Sequence, residues 1–250
     1  MKIGLITGAS RGLGRSMALH LAQKGYHIIF TYNNSKEKAD EVIQEIKFHG
    51  QEAISLQLDT TKVDSFELFI TQLKNEIQTK WQCQNIDLLV NNAGIGINAS
   101  IANTTVEELD QLYNVHVKGP YFLTQKLLPF IKDGGTIINI STGLTRFCLT
   151  GFSAYAMMKG AVEVMTKYLA QELGNHNITV NTIAPGAIET DFGNGTVRDN
   201  KQVNNFISSQ TALGRAGYAD DIGAALANLV SEECHWINAQ RIEISGGMFL

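Results

Sequence analysis

The stretch KIGLITGASRGLG (2–14) decides how the chain is read. Lys2 to Thr7 is an apolar run of strand length. It meets glycines at 8, 12 and 14 and passes into LGRSMALHLAQKG (13–25), an amphipathic helical stretch closed by Gly25. A strand that turns through glycines into a helix lets the backbone approach a pyrophosphate, and the helix start supplies N–H donors and a positive dipole end. The spacing is GxxxGxG rather than GxGxxG, and the chain has 23 glycines, so the turn alone is a weak signal.

The same rhythm runs outward from this stretch. Further strands are expected at YHIIFTY (26–32), AISLQLD (53–59), IDLLVNN (86–92), GTIINIS (135–141), NITVNTIAPG (177–186) and QRIEIS (240–245). Helices are expected at 35–50 with Ser35 as N-cap, and at 63–80, 153–174 and 219–232. A long one over 105–131 is expected to bend near Gly119–Pro120, because proline lacks a backbone donor. The strands are apolar on both faces, which argues for a parallel sheet of about seven strands covered by helices on both sides. With no repeat, linker or low-complexity tract, residues 1–250 read as a single domain. Only 187–215, rich in Gly, Asn and Thr, has no period. It is expected to be a loop beyond the carboxyl end of strand six, where it would shape the substrate pocket.

Composition narrows the function classes. Hydrophobic residues make up 44% and charged residues 18%, as in ordinary soluble domains. A net charge of −4 with scattered cations gives no nucleic-acid footprint. Three unpatterned cysteines (Cys83, Cys148, Cys234) argue for small buried hydrophobes in a reducing compartment rather than a disulfide framework. Six dispersed histidines offer no metal motif, so no metal is expected. MKIGLIT resembles no signal peptide and no stretch is long and apolar enough to span a membrane, so the cytoplasm is expected.

The second strand speaks to the cofactor. An NAD site carries an acid there for the ribose 2′-hydroxyl, but this strand ends TYNNS (31–35), with Asn33 where an acid would stand. Arg11 in the glycine turn and Lys36 nearby suit a 2′-phosphate, so NADP(H) is favoured over NAD(H).

Tyr155 and Lys159 stand four apart at the start of a helix, just past the fifth strand. An ammonium beside a phenol favours the phenolate, which would tune Tyr155 for proton transfer to a carbonyl oxygen. The spacing alone does not identify a site, since Tyr32 and Lys36 repeat it at a strand end.

TGASRGLG (7–14), NNAG (91–94), YAMMK (155–159) and PGAIET (185–190), in this order, resemble the short-chain dehydrogenase/reductase family. The likeness is strongest to NADP-dependent members of the 3-oxoacyl-acyl-carrier-protein reductase type and spans nearly the whole chain. It implies a Rossmann-type doubly wound sheet, a homotetramer, and hydride transfer between nicotinamide and a carbonyl or secondary alcohol. A 3-oxoacyl thioester is among the candidate substrates. It implies that Gly8, Ser10, Arg11, Gly12 and Leu13 hold the phosphates. Asp59 and Thr60 would meet the adenine, and Asn92, Ala93 and Gly94 its ribose. Asn91 would stabilise the sheet. Pro185, Gly186, Ile188 and Thr190 would hold the nicotinamide amide, with Tyr155 as acid/base and Lys159 as its partner and ribose ligand.

Two positions depart from the family pattern. The serine expected 13 residues before the tyrosine is Thr142, with Ser141 one residue off. Strand parity allows only one of them to face Tyr155; Thr142 is assigned to the substrate carbonyl and Ser141 to structure. Where the family has Asn in N-x-x-G, HVKG (116–119) puts His116. It is read either as an extra proton carrier or as a packed helix histidine. Arg146 on the expected rim would meet an anionic substrate or be solvated. The competing functions are a non-redox nucleotide sensor of the same fold, and an epimerase or dehydratase using the same tyrosine.

Overall fold

A computed structural model describes residues 1–250. Its strands are β1 (Lys2–Ile6), β2 (Tyr26–Tyr32), β3 (Ala53–Gln57), β4 (Ile86–Asn91), β5 (Ile131–Ile140), β6 (Thr179–Pro185) and β7 (Arg241–Ile244). They form one sheet in the order β3-β2-β1-β4-β5-β6-β7, every neighbouring pair parallel. The crossovers are α1 (Gly12–Gln23), α2 (Lys36–Phe48), α3 (Phe66–Trp81), α4 (Val106–Tyr113), α5 (Gly119–Leu127), α6 (Ser153–Glu172) and α9 (Ala219–Leu229). Two short helices, α7 (Thr196–Asp199) and α8 (Lys201–Ser209), precede α9.

Strand parity builds the two cores. Ile6, Ile28, Leu88 and Ile138 face α1, α2 and α9, where they meet Met17, Leu21, Val42, Ile46, Ile222 and Leu226. Their neighbours Leu5, Ile29, Leu89 and Ile137 face the other way, onto Phe66, Phe69, Leu73, Leu123 and Leu127. This is why the strands read as continuous apolar runs. On the second face Asn91 of β4 donates to Thr124 Oγ1 (2.9 Å) and to Asn139 Oδ1 (2.8 Å). Asn139 donates to Thr166 (2.8 Å), which also accepts from Thr182 (2.8 Å). Asn91 thus ties β4 to α5 and β5, and the chain continues to α6 and β6.

Three expectations need correction. The long helix over 105–131 is broken by a π-turn at Asn114–Lys118, ahead of Gly119–Pro120, and β5 already starts at Ile131. Pro120 comes just after the π-turn and offers no backbone donor to its carbonyls. Ser35 stands at the N-cap of α2 without a side-chain cap bond. The segment 187–215 is not one loop. Asn200 caps α8 by accepting from Gln202 and Val203, and α8 turns Val203, Phe206 and Ile207 onto one face.

Candidate active site

The strand ends and helix starts along one edge of the sheet bring the signalled residues together. The turn after β1 is fixed by two threonines. Thr31 Oγ1 accepts from Gly8 N (3.1 Å), and Thr7 Oγ1 accepts from Asn92 N (2.9 Å) and Ala93 N (3.0 Å). Gly8 has φ +66°, and a Cβ there would lie 2.9 Å from the Ala93 backbone, so β1 and β4 meet where no side chain fits. The Asn92 amide donates to the carbonyls of Thr7 (2.8 Å) and Gly8 (3.0 Å). Its side chain therefore braces the turn. The first turn of α1, with Gly12 and Leu13, has no acid, and its N–H groups lack intrahelical acceptors.

Arg11 lies over this turn, 3.7 Å from the Asp191 carboxylate, and Lys38 approaches the same carboxylate at 3.8 Å. Arg198 grips Asp191 at 2.6 Å. Lys36, the lysine singled out from the sequence, points away and pairs with Asp40 at 2.9 Å. Two positions along α2 turn the side chain onto another face, so sequence distance alone does not separate Lys36 from Lys38. Asn33 is exposed at the end of β2. Asp59 accepts from Thr61 N (3.0 Å) and Oγ1 (2.7 Å), and Thr60 is buried. Burial opposes ionisation of Asp59, but the Thr61 bonds and Lys62 outweigh it and hold the carboxyl below its usual range. Thr190 packs beside Gly12 and accepts from Phe192 N (3.2 Å). The segment Pro185–Thr190, with Gly186 and Ile188, thus runs from the end of β6 back to the glycine turn.

Tyr155, Lys159, Thr142 and His116 form a buried group at the end of β5. Thr142 and Ser141 diverge as parity requires. Ser141 donates to Glu163 Oε1 of α6 (2.7 Å), whereas the Thr142 hydroxyl is near enough to Tyr155 to favour its phenolate. That effect is overridden. Burial pushes Tyr155 well above the ordinary phenol range. Lys159 Nζ is 5.7 Å from the centre of the Tyr155 ring and donates to Ile140 O (2.8 Å), so the expected lowering by its ammonium does not set the phenol. Burial lowers Lys159 itself to about 7.

His116 lies in the π-turn, edge-on to Tyr155 with ring centres 5.2 Å apart. Burial holds it well below the ordinary imidazole range, and Lys159 lowers it further. Its Nε2 lies 2.8 Å from Ile95 O, a contact that requires the proton on Nε2. Nδ1 is then a bare acceptor, buried without a partner. Burial and Lys159 both favour the neutral ring. Gly94 lies against it; a Cβ there would come within 2.9 Å of its Cε1.

The rim includes residues the sequence did not flag. Phe192 lies 5.8 Å from Tyr155, centre to centre, and packs over Gly96. No local pattern signals this, because 96, 155 and 192 meet only in the folded chain. The Arg146 guanidinium pairs with Glu243 at 2.7 Å. Cys148 is exposed, against the expectation of a buried hydrophobe.

The residues fit a dinucleotide. The glycine cradle excludes a side chain, the start of α1 carries no acid, and Arg11 and Lys38 stand beside it at 3.7 and 3.8 Å from Asp191, whose nearest cation is Arg198.

Comparison with known proteins agrees with this arrangement. The family model described as enoyl-(acyl carrier protein) reductase matches residues 8–249. A 3-oxoacyl-[acyl-carrier-protein] reductase of Staphylococcus epidermidis is 35% identical, covering 100% of this chain and 99% of the relative. A promiscuous reductase that catalyses keto-reduction at C1 in lugdunomycin biosynthesis superposes with a TM-score of 0.94 at 33% identity, covering 100% and 98%. An angucycline C-6 ketoreductase solved with bound NADP gives 0.94 at 31%, covering 99% and 95%.

Proposed function

The chain belongs to the short-chain dehydrogenase/reductase family and is an oxidoreductase acting on a carbonyl group; within it, we propose an NADPH-dependent ketoreductase working in the reductive direction. The observation that carries this reading is Tyr155, buried beside Thr142 and Lys159 at the sheet edge that also holds the glycine turn. A phenol so placed can give a proton to a carbonyl oxygen as hydride arrives, and take it back in the reverse reaction.

The nicotinamide supplies the hydride when bound. Ser10, Arg11, Gly12 and Leu13 hold the phosphates; Lys38 joins Arg11 on the 2′-phosphate. Asp59 and Thr60 border the adenine, with Asn33 beside its ribose. Asn92, Ala93 and Gly94 wall the groove. Pro185, Gly186, Ile188 and Thr190 hold the amide. Thr142 donates to the substrate carbonyl, and Tyr155 gives its proton to the carbonyl oxygen as charge develops there. Lys159, poised at about 7, resupplies that proton and holds a ribose hydroxyl. His116 takes part as a neutral acceptor through Nδ1 and as the wall that fixes the Tyr155 ring. Phe192 and the 187–215 segment shield the carbonyl from water. 3-Oxoacyl thioesters and polycyclic ketones are the substrate classes to try first, given the names of the relatives.

No helix is long and apolar enough to cross a membrane. The reading places the enzyme in the cytoplasm as a homotetramer. It is supported by Met157, Val164 and Tyr168, exposed at helical spacing along α6. The test is NADPH oxidation against a panel of ketones and 3-oxoacyl thioesters, with NADH alongside. Turnover preferring NADPH is expected. NADPH binding with no turnover would make the protein a sensor, and substrate change without net NADPH loss an epimerase or dehydratase.

A further inference from the structure

Behind Thr142 lies a charged frame that this mechanism does not use. Glu163, four residues past Lys159 on α6, accepts at Oε1 from Ser141 Oγ (2.7 Å), Thr145 Oγ1 (2.7 Å) and Arg241 Nε (2.9 Å). Arg241, the first residue of β7, also donates through Nη1 to Glu243 Oε2 (2.9 Å) and through Nη2 to the main-chain carbonyl of Thr142 (3.0 Å). Thr145 Oγ1 also lies 3.0 Å from that carbonyl, so its single proton is shared between the carbonyl and Glu163. Glu243 is itself held by Nε and Nη2 of Arg146 (2.8 and 2.7 Å) and by Ser245 (2.9 Å). Arg241 and Glu163 are about four-fifths buried, with side-chain exposures of 23% and 18%.

We propose that Arg241 is a positioning residue: through the Thr142 carbonyl it sets the direction of the Thr142 hydroxyl beside Tyr155. The inference rests on the redox reading above. Thr142 is extended (φ −160°, ψ 155°), and its β-branched side chain leaves few χ1 choices. Fixing the peptide plane after Thr142 fixes the backbone from which its hydroxyl projects, and Leu144 N, which donates to Thr142 Oγ1 (3.3 Å) from two residues on, holds the rotamer. The guanidinium suits the task because its rigid fork sends three donors to three separate elements: α6, β7 and the end of β5. A lysine presents one mobile point charge and would leave the carbonyl free. Partly buried ion pairs add little net stability, so a stability role alone accounts poorly for this frame.

The experiment measures kcat, KM and NADPH affinity for Arg241→Lys and Arg241→Met, each alone and combined with Thr142→Ala. Arg241→Lys keeps the charge toward both glutamates and guards against loss of folding. The expected result is a kcat about 10- to 100-fold lower, the scale of an ångström-level misplacement, with the NADPH dissociation constant unchanged. In the Thr142→Ala background the same replacement should change kcat less than about threefold, because a residue acting through Thr142 loses its effect when the hydroxyl is gone. Losses that multiply in the double variant would mark a merely structural role and overturn the proposal. So would single variants that turn over like the wild type. A wild-type protein that reduces no carbonyl would overturn the redox reading, and with it this role; turnover of the wild type and Arg241→Lys alike would overturn only the role of Arg241.

Discussion

Thr142 and Ser141 are one position apart, and that single step sends one hydroxyl to Tyr155 and the other to Glu163. Thr142→Ala is expected to lower kcat by about 10²-fold or more, the usual weight of a hydroxyl donor at a developing oxyanion. Ser141→Ala should leave turnover nearly intact and cost about 1 kcal/mol of stability, since Glu163 keeps Thr145 and Arg241 as donors. Steady-state kinetics and urea unfolding read the two effects, and the reverse pattern would refute the assignment. Lys159 gives a second prediction. Burial lowers it from 10.5 to about 7, so between these values the unfolded chain binds more protons than the folded one. Stability should rise with pH across that window, by at most about 1.4 kcal/mol per unit, and be lost as pH falls back toward 7. His116, lowered below 6.5, acts under this window, and Tyr155, raised above 10, acts over it. Lys159→Met should flatten the profile between pH 7 and 10; parallel urea midpoints for wild type and variant would count against it.

At the scale of elements, α1, α2 and the segment after β6 converge on one carboxylate. Arg11, Lys38 and Arg198 come from three parts of the chain to Asp191. If the first two also grip a 2′-phosphate, Arg11→Ala with Lys38→Ala should weaken NADPH binding by about 10²-fold and NADH binding far less, at about 1.5–3 kcal/mol per charged hydrogen bond. Nicotinamide fluorescence titration measures both. Equal losses for the two cofactors would show that the pair reads the pyrophosphate or nothing. Lys36→Ala is the internal control, because its partner Asp40 lies on its own helix. The π-turn is the other element that matters. It brings His116 under Tyr155 in a chain whose pattern predicts only a long helix.

For the whole molecule, two cores of alternating strand residues hold the sheet, and α6 is left with an uncovered apolar stripe. Met157, Val164 and Tyr168 are 58%, 54% and 68% exposed, unusual for large apolar side chains on one helix face. A second copy of the chain is the expected cover. Sedimentation should show an assembly larger than the monomer, and Val164→Arg with Tyr168→Arg should dissociate it while leaving the fold intact. A monomeric wild type would remove this expectation.

The sequence by itself determined the doubly wound fold, because strand and helix periods are local and each apolar run already states which faces are covered. It also placed the glycine turn and the Tyr155–Lys159 pair, whose spacing lies within one turn of one helix, and strand parity separated Thr142 from Ser141. Only the tertiary structure decided that Lys38 rather than Lys36 faces Arg11, that Phe192 covers Gly96, and that Arg146 pairs with Glu243. The same holds for the environment of Tyr155. A sequence shows the lysine four residues away but not the packing around the phenol, and here burial outweighs the hydrogen bond with Thr142. Contacts between residues dozens of positions apart carry no local period, and desolvation depends on every element packed against a group.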